Sequence, residues 1–423
     1  MTRLAYTALL WLLLPAVCAR LWLRARRQPE YGLHIGERFG RYTACPAGPR
    51  FWIHAVSVGE THAAQPLVAA LLERYPDRGL LLTHMTPTGR ATSASLFGDR
   101  VLRCYLPYDY PFAIRRFLDH FRPDFGVIME TELWPNLIAA CKGRGIPLVL
   151  ANARLSERSA RRYGRLPNLT RRALRSLTLV CAQTARDAER LTVLGARDVQ
   201  VVGNLKFDIS PPRAQIDTGK ALKASMGDRP VLLLASTREG EEQLILDALP
   251  RATLPRATLL IFVPRHPQRF DEVAELIARR GYKVQRRSRG GQIAPEVEVF
   301  VGDTMGEMFA FYVAADLACI GGSLLPLGGQ NLIEACAVGT PVLVGPHTFN
   351  FAQATEDAIT EGAALRARDA EDMLSQAGRL LADSGERARI AEAGRRFAAA
   401  HRGATARTVA ALARVIEIIP AAR

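Results

Sequence analysis

Disulfide and metal signatures are missing from this chain. Its seven cysteines (Cys18, Cys45, Cys104, Cys141, Cys181, Cys319, Cys336) are odd in number and scattered, with no C-x-x-C pair. That pattern excludes a disulfide scaffold and a zinc ribbon, and reads as reduced core thiols in a cytoplasmic body. The eight histidines form no ligand pattern and no D-x-D occurs, so the sequence proposes no metal site. Internal repeats and low-complexity tracts are absent, which excludes a solenoid. Acidic residues are scarce, 41 against 56 Lys and Arg for a formal charge of +15, which implies an acidic partner: nucleic acid, anionic lipid or a phosphorylated substrate.

What is present is bulk. A chain of 423 residues with 48% hydrophobic content exceeds one ordinary core and predicts two domains of Rossmann size. The first 24 residues read as a membrane anchor, apolar from Leu4 to Ala19 apart from Tyr6 and Thr7, and continuing through Arg20 to Leu23 before Arg24, Arg26 and Arg27. Sixteen residues of helix reach only about 24 Å against a hydrocarbon core of about 30 Å, so the segment recruits residues 20–23 or lies partly in one leaflet. Pro15 weakens it further. Val17-Cys18-Ala19 resembles a signal-peptide cleavage site, whereas the arginines beyond it oppose export and place the body on the cytoplasmic side.

From Phe51 to about Gly203 apolar runs alternate with helix-period segments: Phe51–Val58, Leu80–Thr83, Phe125–Met129, Pro147–Ala151, Leu177–Cys181 and Val199–Val202. A second series follows the polar stretch Ser210–Asp228: Val231–Ala235, Leu259–Val263, Val297–Val301, Leu317–Ile320 and Pro341–Val344. Such βαβ rhythm predicts an α/β protein of two Rossmann-like domains, 25–210 and 211–390, with a ligand cleft between the carboxyl ends of their sheets. The segment 391–423 is expected to be helical from its pattern, and fold analogy alone suggests that it packs back on the first domain.

Polar groups recur where the predicted strands end. Glu60 follows the first, as a base or as a partner for a helix dipole; Glu130 and Glu132 follow Phe125–Met129, and Lys206 closes the first half. In the second half come Ala235–Glu242, a polar turn suited to an anion, then Val263–Pro267 and Gly302–Met308. Last is the loop Gly321-Gly322-Ser323 with Gly328-Gly329, leading into a helix opened by Asn331 and stopped by Gly339-Thr340-Pro341. That loop reads as a phosphate seat, because glycines admit an anion to backbone N–H groups and a helix N-terminus adds donors, or else as a tight strand-to-helix turn.

Seven blocks together resemble the 3-deoxy-D-manno-octulosonic acid (Kdo) transferases of lipid A assembly: His54–Thr61, Met129–Asn136, Asn152–Ser156, Gly203–Asp208, Pro264–His266, Gly302–Glu307 and Gly321–Glu334. The resemblance implies a metal-independent GT-B glycosyltransferase of the Gram-negative inner membrane, without cofactor, with CMP-Kdo as donor and the tetra-acylated lipid A precursor (lipid IVA) as acceptor. By similarity Glu60 is the general base, and Glu130 and Lys206 are transition-state stabilisers. Pro264, Arg265, Met305, Gly306, Glu307, Asn331, Leu332, Ile333 and Glu334 match the CMP contacts.

Between Arg154 and Arg175 lie eight arginines against the single acid Glu157, a set suited to acceptor phosphates and an anionic membrane, or simply a solvated basic face. A nucleic-acid protein is disfavoured, since only Tyr163 offers a stacking ring in that run and a membrane anchor is an odd companion. A GT-B transferase using a UDP-sugar shares the fold and the loop and stands as the rival enzyme. A catalytically dead membrane scaffold is opposed by the acids at the strand ends.

Overall fold

The structure, a computed structural model, describes residues 1–43, 50–208 and 211–417. Cys45, Ser210 and the last residues of the C-terminal segment lie outside that range. The chain divides into two compact units, Met1–Asp208 with Arg402–Arg423, and Ile209–His401.

In the first unit β1 (Arg50–His54), β2 (Gly79–His84), β3 (Leu102–Tyr105), β4 (Phe125–Met129), β5 (Leu148–Ala153), β6 (Leu179–Ala182) and β7 (Val199–Val201) form one sheet in the order β3-β2-β1-β4-β5-β6-β7. Every pairing is parallel. The strands are continuous apolar runs because helices cover both faces. One face buries Phe51, Ile53, Leu82 and Val127, and the other buries Trp52, Leu81, Ile128 and Leu150. Trp52 satisfies its indole N–H inside the core by donating to Thr83 Oγ1 at 2.8 Å.

The second unit repeats the plan with β8 (Val231–Thr237), β9 (Leu259–Pro264), β10 (Val284–Arg286), β11 (Val299–Val301), β12 (Leu317–Ile320), β13 (Val342–Val344) and β14 (Ala364–Arg366). Its order is β10-β11-β9-β8-β12-β13-β14, again all parallel. The two doubly wound sheets agree with the predicted class. Sequence reading missed β3, β10 and β14, three edge strands of three or four residues whose apolar runs are too short to stand out.

Several boundaries move. The run Phe51–Val58 is strand only to His54, and Val58 already belongs to the helix Val58–Arg74, so Glu60 is a first-turn helical residue. The N-terminal helix runs Arg3–Arg27, past residue 24 and through Pro15. Residues 391–400 continue the helix Ser384–Ala400 of the second unit, so the return to the first unit begins at Arg402 and not at 391. There the helix Ala404–Glu417 buries Val409, Leu412 and Val415 in the first unit's core, at about 1.5–3 kcal/mol each. Five described cysteines, Cys104, Cys141, Cys181, Cys319 and Cys336, are buried, but Cys18 is exposed on the N-terminal helix and is not a core thiol.

Candidate active site

Ser57 precedes the helix Val58–Arg74 without a side-chain capping bond, and Glu60 stands three residues on, the spacing at which a first-turn glutamate folds back over the helix start. Glu60 Oε2 accepts the Val56 N–H at 2.8 Å. The residue is only 9% exposed. Burial is the main force that pushes its carboxyl up to about 8; the negative charges of Glu130 and Glu132 add to it, while the Val56 N–H and the Lys206 cation oppose it. One oxygen thus secures the helix start, as expected of a first-turn acid, while the carboxyl as a whole holds its proton to a higher pH than an exposed glutamate does.

Glu130 is the residue after β4, and its backbone is left-handed (φ 55°), which turns the chain sharply out of the sheet. Its N–H still donates to Ala151 O at 2.8 Å. Lys206 sits in the short 3₁₀ turn Leu205–Phe207, which Asn152 and Asn204 fix by accepting the N–H groups of Leu205 and Lys206, each at 3.0 Å. Lys206 Nζ is 3.4 Å from Glu130 Oε1. The three residues expected to carry catalysis thus share one electrostatic neighbourhood. Glu132, likewise raised by burial and by Glu130, belongs with them and was read from sequence only as a neighbour of Glu130.

In the second unit Gly321 follows β12 against the end of β8, where a Cβ would stand 2.4 Å from Ser236 O. Gly322 follows with φ 69°. The loop does hold an anion, but the anion is the protein's own. Glu241, buried in the first turn of the helix Glu241–Ala248, accepts the N–H groups of Gly322 (2.6 Å) and Arg238 (2.9 Å) on Oε2 and that of Leu324 (3.0 Å) on Oε1. The Gly321 N–H goes to Ala235 O, Gly329 N–H to Gly322 O and Gln330 N–H to Gly321 O. Ser323 Oγ donates to Ile320 O and accepts the Gly345 N–H, and Gly328 O accepts the Asn350 N–H. Within the expected phosphate seat, the amides of Gly321, Gly322 and Gly329 are thus taken by the protein's own acceptors. The sequence signal for this is Glu241, in a turn otherwise suited to an anion.

The helix expected to open at Asn331 runs Ile333–Val338. Asn331 organises its start: Oδ1 accepts the Ile333 N–H at 3.0 Å, and Nδ2 donates to Glu334 Oε1 at 3.1 Å. Burial pushes the Glu334 carboxyl up to about 7 against the pull of Asn331 and of the nearby Arg265. Leu332 and Ile333 are core side chains, so a ligand meets them only through backbone. Pro264 is buried at the end of β9, and Arg265 N–H donates to Thr237 O at 2.9 Å across the β8 end. Met305 is exposed and Gly306 is left-handed. Glu307 is held by Arg287 at 2.9 and 3.1 Å and by Thr304, so its carboxylate faces its own cation. His266, which lies in the matched block Pro264–His266, has its imidazole lowered by burial and further by Arg238 and Arg265, marking a positive neighbourhood.

Each cluster lies beyond the carboxyl ends of the two strands where its sheet reverses direction of winding, β1 and β4 in one unit, β8 and β12 in the other. That is where doubly wound folds bind ligands. Residues 33–209 match the family model described as 3-deoxy-D-manno-octulosonic-acid transferase (kdotransferase). The chain is 49% identical to the 3-deoxy-D-manno-octulosonic acid transferase of Bordetella pertussis, over 97% of this chain and 99% of that protein. This chain belongs to the Kdo transferase family. A second Kdo transferase, from Haemophilus influenzae, is 38% identical over 96% of this chain and 97% of that protein. A glycosyltransferase structure from Rickettsia africae covers 89% of this chain and all of that chain (100%) with a TM-score of 0.55 at 14% identity, a likeness of fold. This Kdo transferase is thus a glycosyltransferase of GT-B fold. Among the described residues no group of three or more His, Cys, Asp or Glu side chains is gathered for a metal ion.

Proposed function

We propose that the protein transfers Kdo from CMP-Kdo to lipid IVA with inversion, at the cytoplasmic face of the inner membrane, using Glu60 as general base. The observation that carries this reading is the Glu60 carboxyl, buried, raised to about 8 and set among Glu130, Glu132 and Lys206. In the proposed step an acceptor sugar hydroxyl gives its proton to Glu60 as its oxygen attacks the anomeric carbon of Kdo, and the bond to the CMP phosphate breaks with its electrons leaving on CMP. Lys206 balances anionic charge in the first unit, and Glu130 positions it at 3.4 Å.

The donor contacts assigned by resemblance are kept, with one revision. Since Glu241 holds the Gly322 and Leu324 amides, we assign the departing phosphate to Arg265 and Arg238, and leave the glycine loop the task of placing Arg238. Glu334, already bonded to Asn331, suits ribose hydroxyls rather than phosphate.

The test is to incubate the membrane-bound protein with CMP-Kdo and lipid IVA and read product masses, which reports the reaction and counts the sugars added. Thermal protection by CMP and not by UDP is expected; preferential protection by UDP would favour a UDP-sugar transferase instead.

A further inference from the structure

The N-terminal helix Arg3–Arg27 is long and apolar enough to cross a membrane, yet its first half is fastened to the first unit and one face of it is partly buried throughout. Its partly or fully buried positions include Arg3, Thr7, Leu10, Leu14, Val17, Leu21 and Ala25, a continuous stripe at helical spacing. Near its start, Thr7 Oγ1 donates to Asn136 Oδ1 at 3.0 Å, and Tyr6 hydrogen-bonds the buried Asp109, whose carboxylate also takes the Asn136 and Leu137 N–H groups. Further on, Tyr110 Oη donates to Leu10 O at 2.8 Å, and the Trp11 ring packs on Tyr110 and Phe112. At its far end Arg24 lies over Tyr31.

A helix of 25 residues is about 37 Å long, so crossing would carry Arg3 that far from Arg27, through the hydrocarbon. Its first turns are instead held by the same folded unit into which its last turn leads. The opposite face is open and apolar: Leu4 and Leu12 are 79% and 77% exposed, with Leu9, Leu13, Trp22 and Leu23 beside them. An apolar face this extended marks a lipid or protein contact.

Charge decides between them. A cavity of about 580 Å³ at the helix start is lined by Arg3, Lys142, Arg171, Arg172, Arg175 and Arg197, with no carboxylate among its lining residues. Arg20, Arg24, Arg26 and Arg27 stand at the other end. We infer that the helix lies flat in the surface of an anionic phospholipid bilayer, apolar face down, with headgroup phosphates drawn to the cationic cavity, and that it does not span the membrane.

Side-specific labelling of the full chain tests this. Thr2→Cys and Arg26→Cys, each in a Cys18→Ser, Cys45→Ser background, are treated with an impermeant maleimide in spheroplasts and in inverted inner-membrane vesicles, with detergent-solubilised protein as the control for reactivity. Both thiols should label from the same side, in inverted vesicles. Labelling from opposite sides, or loss of residue 2 from the mature chain, overturns the proposal. For the cavity, flotation with phosphatidylglycerol vesicles should exceed that with phosphatidylcholine vesicles. The triple change Arg171→Gln, Arg172→Gln, Arg175→Gln should weaken it about tenfold while circular dichroism is unchanged. Equal flotation on both lipids, or flotation only when lipid IVA is added, would reject phospholipid headgroups as the occupant.

Discussion

Glu241 Oε2 accepts the N–H of Gly322 at 2.6 Å, so a loop built to receive an anion is closed by a side chain from the neighbouring strand-to-helix turn. Its other oxygen takes the Leu324 N–H at 3.0 Å. Glu241→Gln would turn an NH₂ group toward donors and leave a buried amide unmatched. Expected are a loss of about 2–3 kcal/mol, seen as a lower denaturant midpoint at constant slope, and weaker CMP binding in calorimetry. An unchanged midpoint would mean that the loop is held in place by other contacts.

Glu60 predicts opposite pH trends for stability and turnover. Its carboxyl is raised from 4.5 to about 8, so between those values the folded chain keeps a proton that the unfolded chain releases. Its contribution to stability is complete below about 4.5 and is lost as pH rises through about 8. The ionised base gains population over the same interval, so kcat/KM should climb toward a plateau above about 8. Glu60→Gln should remove that stability trend, retain CMP-Kdo binding and lower turnover by roughly two orders of magnitude or more. Near-normal turnover would take Glu60 out of the base role.

Lys206 and Glu130 act on Glu60 with opposite sign. Lys206→Met should therefore move the acid limb of the rate profile to higher pH, and Glu130→Gln should move it lower. The pair is partly exposed, at 25% and 28%, so neither change should cost much more than about 1 kcal/mol in unfolding. If both variants titrate like the parent, the two residues do not tune the base.

Backbone geometry at Glu130 gives a test independent of activity. With φ at 55°, glycine fits there without the crowding that a Cβ brings. Glu130→Gly should be more stable than Glu130→Ala by about 1 kcal/mol, although both lack the carboxylate. The reverse order in chemical denaturation would show that Glu130 does not hold a left-handed backbone.

The positions of Glu60, Glu130 and Lys206 were legible because continuous apolar runs mark buried parallel strands, and whatever follows such a run lies at a carboxyl edge. Which strands flank the reversal was not legible, since strand order depends on long-range packing. The glycine loop misled for a related reason. Its conformation follows from local residue types, but the identity of its anion depends on Glu241, 81 residues earlier in the chain. Leu332 and Ile333 fell within a matched motif, yet helical periodicity turns both into the core.

Two residues beyond Lys206, the Asp208 carboxylate accepts the N–H groups of Gly403 and Thr405, and Arg407 Nε donates to Val202 O at 2.8 Å. The segment that carries Lys206 is thus pinned by a helix translated only after the whole of the second unit. On the ribosome the first unit waits, with an apolar groove beside Val202 and Leu205, until residues 404–417 emerge to fill it. Its lysine turn gains these links only after the second unit has been made, so a chain interrupted in the second half would leave that turn to Asn152 and Asn204, without the Asp208 and Arg407 hydrogen bonds.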